Sequence, residues 1–257
     1  MFEVIEKETG KRRTVYAVQG DRFTVGMEGG FIVRDMAFFA PVPQEGSAAP
    51  VEATPCVLSV VMRDNYDLDD LLTDIASGTV SVGLGDTIST RLTDGTEVDL
   101  VVTDQDDKTV RLESRDCLGV NTSARELDKY LSKVYDLLPA ALKKRLVEVE
   151  RVHLDSDGDK FTERCKLFVP AASEMFPPDE CYGDVGLYEQ LEWYKDVHNR
   201  VRADRKGGDS HWYWTSSPYS SNSSNFCIVS SSGNAISNNA NNTYGLAPFG
   251  CIISKIC

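Results

Sequence analysis

The stretch DSDGDKFTE, Asp155 to Glu163, sets four carboxylates among small residues, the ligand type that hard cations prefer. A helix–loop–helix calcium site needs Gly at its sixth position and a bidentate Glu at its twelfth. Counted from Asp155, those places hold Lys160 and Lys166. The stretch therefore reads as a solvated turn ahead of a strand, and no metal ligand is assigned. The three histidines, His153, His198 and His211, show no metal-ligand spacing. No GxSxG, phosphate-cradling Gly loop, or Ser or Cys set beside a His in a known pattern is present. Seven cysteines (Cys56, Cys117, Cys165, Cys181, Cys227, Cys251 and Cys257) are scattered without a CxxC pair. They read as buried free thiols, not a disulfide framework or zinc ribbon. No catalytic residue and no cofactor is assigned.

The residue types that stand out are suited to recognition. Tyr219 to Gly245 reads YSSNSSNFCIVSSSGNAISNNANNTYG. Such a Ser/Asn run ordinarily marks a linker or tail. Here the aromatic-rich HWYWTSSPY precedes it and the apolar LAPFGCIISKIC follows it, so it lies between two segments that belong in a core. Short hydroxyl and amide side chains with Tyr make an adaptable hydrogen-bonding surface. No Asp, Glu, Lys or Arg occurs from Trp212 to Ser254. Matches to glycosylation acceptors at Asn222 and Asn241 arise by chance in so Asn-rich a run.

Stepping outward, the 257 residues suit one large domain with a small one, and no apolar run approaches membrane-spanning length. A net charge of −13 disfavours nucleic acid as a partner. The first residues, MFEVIEKETGKRR, lack a secretory signal pattern, so Sec export is not expected. Residues 1–40 read as a small all-β module of short strands (FEVIE, RRTVYAVQ, RFTVGM and FIVRDMAFF) that must dock on something. Residues 41–55 read as a Pro/Ala/Ser/Glu linker. Residues 56–257 form the main domain.

Within that domain, Leu68, Leu71, Leu72 and Ile75 predict a helix that stops at Gly78. Asp94-Gly95 predicts a hairpin. Ser123 and Glu126 predict a capping box ahead of a helix, and AALKKRLVEVERV a further helical stretch. Leu187, Leu191, Tyr194 and Val197 predict one face of an amphipathic helix packed on the core. Trp212, Trp214, Phe226, Leu246, Phe249, Ile252 and Ile253 are expected to supply the core beneath the Ser/Asn run. Mixed element order without a βαβ repeat predicts an α+β fold.

From Tyr219 to Tyr244 there are seven Asn, eight Ser, two Ile, two Tyr and one Thr, twenty of twenty-six residues. Asn is encoded AAY. One change at either adenine gives Ser, Thr, Ile, Tyr, Asp or His. Asp and His, equally reachable, do not occur in this window. The remaining six, Phe226, Cys227, Val229, Gly233, Ala235 and Ala240, are reached by changing both adenines and so do not discriminate; most read as the small or apolar residues a strand framework needs.

The segments VGLGDTISTRLTDGTEVDLVVTD, LESRDCLG, KLFVPAASEMF, YEQLEWYK, WYWTSSPY, NFCIVSSSGNA and YGLAPFGCII resemble, in order, a family of unknown activity from gut bacteria and their phages. Many of its members look like variable proteins of diversity-generating retroelements, in which a reverse transcriptase copies a template repeat with adenine errors into the 3′ end of the gene. The resemblance implies a C-type-lectin-like fold related to the formylglycine-generating-enzyme type, with C-terminal strands and loops as the binding face. The expected ligand-binding residues are Tyr219, Ser220, Ser221, Asn222, Ser223, Ser224, Ile228, Ser230, Ser231, Ser232, Asn234, Ile236, Ser237, Asn238, Asn239, Asn241, Asn242, Thr243 and Tyr244. The expected ligand is a cell-surface protein or glycan, with virion proteins contacted through the N-terminal module. An undiversified phage structural or receptor-binding protein of the same fold is the alternative. Enzymatic chemistry of the formylglycine-generating kind needs a cleft cysteine pair, and nothing around Cys251 and Cys257 matches its motifs.

Overall fold

The computed structural model describes residues 2–7, 11–19, 22–27, 30–35, 39–41, 58–60 and 67–255, apart from 156–158, 181–182, 185, 220–221, 223 and 244. Helices combine with mostly antiparallel sheets, an α+β architecture. The N-terminal strands are β1 (Phe2–Glu6), β2 (Arg12–Gln19), β3 (Arg22–Met27), β4 (Gly30–Asp35) and β5 (Phe39–Pro41). The first three match the sequence expectation; FIVRDMAFF divides between β4 and β5. Beyond Pro41, the expected linker lies outside the described residues.

Strand β6 (Leu58–Val60) pairs antiparallel with β4 and parallel with β7 (Thr87–Arg91). Through it the N-terminal strands continue the sheet of β7, β8 (Glu97–Gln105) and β9 (Thr109–Ser114). That sheet ends in β12 (Leu167–Phe168) and β18 (Gly250–Ser254), with β18 seated between β9 and β12. The last strand of the chain is thus internal to the main sheet, which explains its apolar sequence. Asp94-Gly95 makes the β7–β8 hairpin as expected. Gly95 has φ 91, and the Asp94 carboxylate accepts the Thr96 N–H at 2.9 Å.

Helix α1 (Leu68–Ala76) is capped by Asp67, whose carboxylate accepts the Asp69 N–H, and it buries Leu68, Leu71, Leu72 and Ile75. Helix α2 (Leu127–Leu137) follows a 3₁₀ turn at Ala124–Glu126. The expected capping box does not form there. The Ser123 hydroxyl bonds the Glu126 carboxylate at 3.4 Å and caps no backbone N–H. The helix predicted over AALKKRLVEVERV is cut short. Helix α3 (Ala140–Arg145) ends where Leu146 bridges Ile253 of β18, and β10 (Val149–Leu154) follows. Strands β10 and β11 (Lys160–Cys165) form a separate hairpin; Lys160–Glu163 of the carboxylate-rich stretch lie in β11, and ahead of them the Asp155 carboxylate accepts the Asp159 N–H.

The amphipathic helix predicted over Leu187–Val197 is absent. In its place stand two 3₁₀ turns, Glu192–Lys195 and Val197–Arg200. The Asp196 carboxylate accepts the His198 N–H and starts a second turn where one helix would have continued. Tyr194 is buried, but Val197 is exposed. Short helix α4 (Ala172–Met175), ribbon β13 (Arg202–Ala203) with β14 (Ser210–His211), and the sheet of β15 (Tyr213–Pro218), β16 (Asn225–Val229) and β17 (Ala235–Asn239) complete the fold. No described helix is long and apolar enough to cross a membrane.

Candidate functional site

The Ser/Asn run folds as the outer part of the β15–β16–β17 sheet. Strand β16 lies in the middle, and β17 pairs with it from Asn225↔Asn239 to Val229↔Ala235. One face carries Trp214, Ile228 and Ile236 in a row across the three strands. Trp214 and Ile228 belong to the main core, whereas Ile236 at the outer strand is 44% exposed. On the opposite face Cys227 and Val229 pack with Tyr213, Tyr194 and Phe176 in a second core. β16 is therefore buried on both faces.

This burial corrects the expectation for Ile228, which at 2% exposure is core and not part of any binding surface. Asn222, Ser224, Ser231, Ser232, Asn234, Ile236, Asn239, Asn241 and Thr243 are exposed. Tyr219, Ser230, Ser237, Asn238 and Asn242 are half-buried. Ser220, Ser221, Ser223 and Tyr244 lie outside the described residues. Topology divides these positions. Tyr219, Asn222 and Ser224 share one end of the sheet with Ala240, Asn241, Asn242 and Thr243, joined by the Ala240 N–H to the Ser224 carbonyl at 2.8 Å. The 230–234 turn closes the other end. The surface is a rim running along β17 and around both its ends.

Three of these side chains also hold their own loops. Asn222 accepts the Ser224 N–H at 2.9 Å, Ser230 the Asn234 N–H at 3.1 Å, and Asn239 the Asn241 N–H at 3.0 Å. The 230–234 turn further requires Gly233, at φ 84, where a Cβ would also press on the Val197 carbonyl. Replacing Ser230 or Asn239 by Ala should each cost about 1 kcal/mol, the worth of one local hydrogen bond. Ser231→Ala should cost nothing measurable. Thermal melts of the three variants check this ordering.

The rim sits on a rigid base. Trp214 donates its indole N–H to the Thr122 carbonyl at 3.0 Å and meets Trp212 edge-on at 5.3 Å. Gly245 packs against both indoles, where a Cβ would overlap Trp214. Of the core expected from the sequence, Trp214, Leu246, Phe249 and Ile253 are buried, while Trp212, Phe226 and Ile252 are half-buried.

Below the sheet lies a buried polar network with no local sequence signal. Glu174 of α4 takes bidentate contacts from Arg111 of β9 (2.5 and 3.2 Å) and from Arg151 of β10 (both 2.6 Å). Glu113 bonds Arg111, Arg202 and the Tyr194 hydroxyl. Asp184 accepts from Ser173 beside Glu174 and from Ser217 of β15, linking the candidate sheet to the main one. Arg111 and Arg151 also flank the Phe168 ring at 4.7 and 4.5 Å.

Burial alone would raise the pKa of Glu174, but the two guanidiniums overcome this and hold it well below the usual carboxylate range. Its native pKa thus lies under its unfolded one. The stability it contributes is complete above about pH 5 and drains away as the pH falls further. The denaturation midpoint should drop steeply between pH 5 and pH 3, and less so in Glu174→Gln. Equal slopes in the two proteins would refute the assignment. Cys251 is buried, which pushes its thiol up to about 12, a state unsuited to a nucleophile.

The fold and site define an α+β protein whose C-terminal sheet presents an uncharged Ser/Asn rim. A family model described as Domain of unknown function (DUF6273) matches residues 123–254, just over half of the chain, and the chain belongs to that family. The match runs from Ser123, ahead of α2, to the end of β18, so it takes in the whole rim and Glu174. Comparison with curated proteins and with solved structures gave no match.

Proposed function

We propose that this protein is a diversified ligand-binding protein. It displays a variable Ser/Asn/Tyr rim on a C-type-lectin-like scaffold, is encoded by a phage or prophage, and recognises a host-surface protein or glycan. One observation carries the reading. Between Tyr219 and Tyr244, the residues one adenine change from Asn and the other six sort by burial. Among the described residues of the first group only Ile228 is buried; of the six framework residues none is exposed. Polarity alone sorts most of these residues the same way; Ile236, apolar yet 44% exposed, is the reachable residue whose place polarity does not account for. A rim free of charge accepts many substitutions without altering the field around it, and a rigid base lets loop chemistry vary without loss of fold.

The gene tests this directly. A near-repeat of its 3′ end, differing at adenines and lying near a reverse transcriptase gene, is expected. Copies from related genomes should differ at codons for the exposed positions and agree at Cys227, Ile228 and Val229. Copies differing evenly across the gene, with no template repeat, would overturn the reading. The second reading, an undiversified phage structural or receptor-binding protein, draws support from Asn222, Ser230 and Asn239. Their turn-holding bonds suit a fixed sequence.

A further inference from the structure

A concavity lies between α2 and the β10–β11 hairpin, bordered by Ser216 and Phe226 of the candidate sheet. Its volume is about 480 Å³, within the range of small-ligand sites. Leu127, Leu131 and Tyr135 line it from the helix, Phe161 from the hairpin, and Phe168 and Phe226 beneath. Phe161 is 49% exposed, an unusual place for a Phe, and stacks on His153 with ring centroids 5.4 Å apart. Besides the Tyr135 phenol, the titratable groups around this aromatic wall are Asp128, Glu163, Cys165, Lys166 and His153. Asp128 makes no ion pair with a Lys or Arg among the described residues, and Glu163 meets only the His153 imidazole, at 3.9 Å.

Burial and then Arg151 lower the pKa of His153, so near neutral pH the imidazole does not neutralise the two acids. Burial and then Asp128 raise that of Glu163, which means that the two carboxylates sense each other across the cleft. Lys166 supplies one positive charge against two negative. The concavity therefore combines apolar walls, an open aromatic face and uncompensated negative charge.

We propose that this cleft binds a small organic ammonium: a cationic head held by Asp128 and Glu163 on an apolar stem laid against Phe161 and Leu131. Each part of such a ligand meets a matching surface. The head gains charge-assisted hydrogen bonds to two carboxylates. The aromatic face attracts a cation, and the stem removes apolar area from water. The site does not depend on the rim being diversified.

The test is an NMR titration of the full chain with n-hexylammonium, n-hexanol and hexanoate, reading the His153 ring signals. Hexylammonium should saturate with Kd on the order of 1 mM, an affinity in keeping with so few heavy atoms. Hexanol should bind more weakly and hexanoate least. In Asp128→Asn/Glu163→Gln the hexylammonium affinity should fall about tenfold, while hexanol binding is unchanged. Both residues are exposed, so the variant should melt like the parent. Equal binding of the three probes, or ammonium binding unaltered in the variant, would overturn the proposal. So would absence of any His153 response.

Discussion

Glu174→Ala should leave little folded protein. The substitution strands the buried Arg151 guanidinium and leaves the buried Arg111 with Glu113 alone. Removing one member of a buried ion pair costs about 3–5 kcal/mol, and here two cations lose it together. A domain of this size is stable by about 5–15 kcal/mol. The variant should be insoluble or melt far below the parent. The same substitution also frees the Ala171 N–H, which Glu174 accepts at 2.8 Å, and so loosens the entry to α4. Urea denaturation gives the number. A midpoint within error of the parent would show that the network does not hold the candidate sheet to the main one.

The second large effect separates two isoleucines eight residues apart in the chain and paired across β16 and β17. Ile228→Asn should cost about 3–5 kcal/mol, because it removes a buried side chain and buries an amide among apolar neighbours. Ile236→Asn should stay within about 0.5 kcal/mol, the usual range for an exposed position. Both changes are reached from Ile by restoring one adenine of AAY. If the first is as harmless as the second, Ile228 is not in the core and the boundary between framework and rim is misplaced.

Those two residues also show what a sequence can reveal. Composition and codon reachability treat Ile228 and Ile236 alike. Their difference comes from strand order, since β16 lies inside the sheet and β17 at its edge. Alternation was no guide either, because Cys227, Ile228 and Val229 are all buried. Helix α1 and the Asp94-Gly95 hairpin were legible because their signals are local. Leu187–Val197 misled because the Asp196 carboxylate caps a new turn within the apolar spacing. The helix expected to run past Arg145 stopped because Leu146 found a strand partner in Ile253, over a hundred residues away. The Glu174 network was invisible for the same reason, with Arg111 separated from Glu174 by 63 residues. The cleft beside α2 depends on how the β10–β11 hairpin docks, which no single segment encodes.

The central claim is that the rim carries recognition while the framework carries the fold. A display library at Ser231, Ser232, Asn234, Ile236, Asn238, Asn241 and Thr243, each varied among the residues one adenine change from Asn, tests it most directly. Sorted first for folding, by protease resistance, most members should pass, each position shifting stability by no more than about 0.5 kcal/mol. Sorting the survivors on immobilised proteins should then enrich different rim sequences for different targets, with Tyr recurring at the anchors. If most members instead fail the folding sort, the rim is structural and the claim falls.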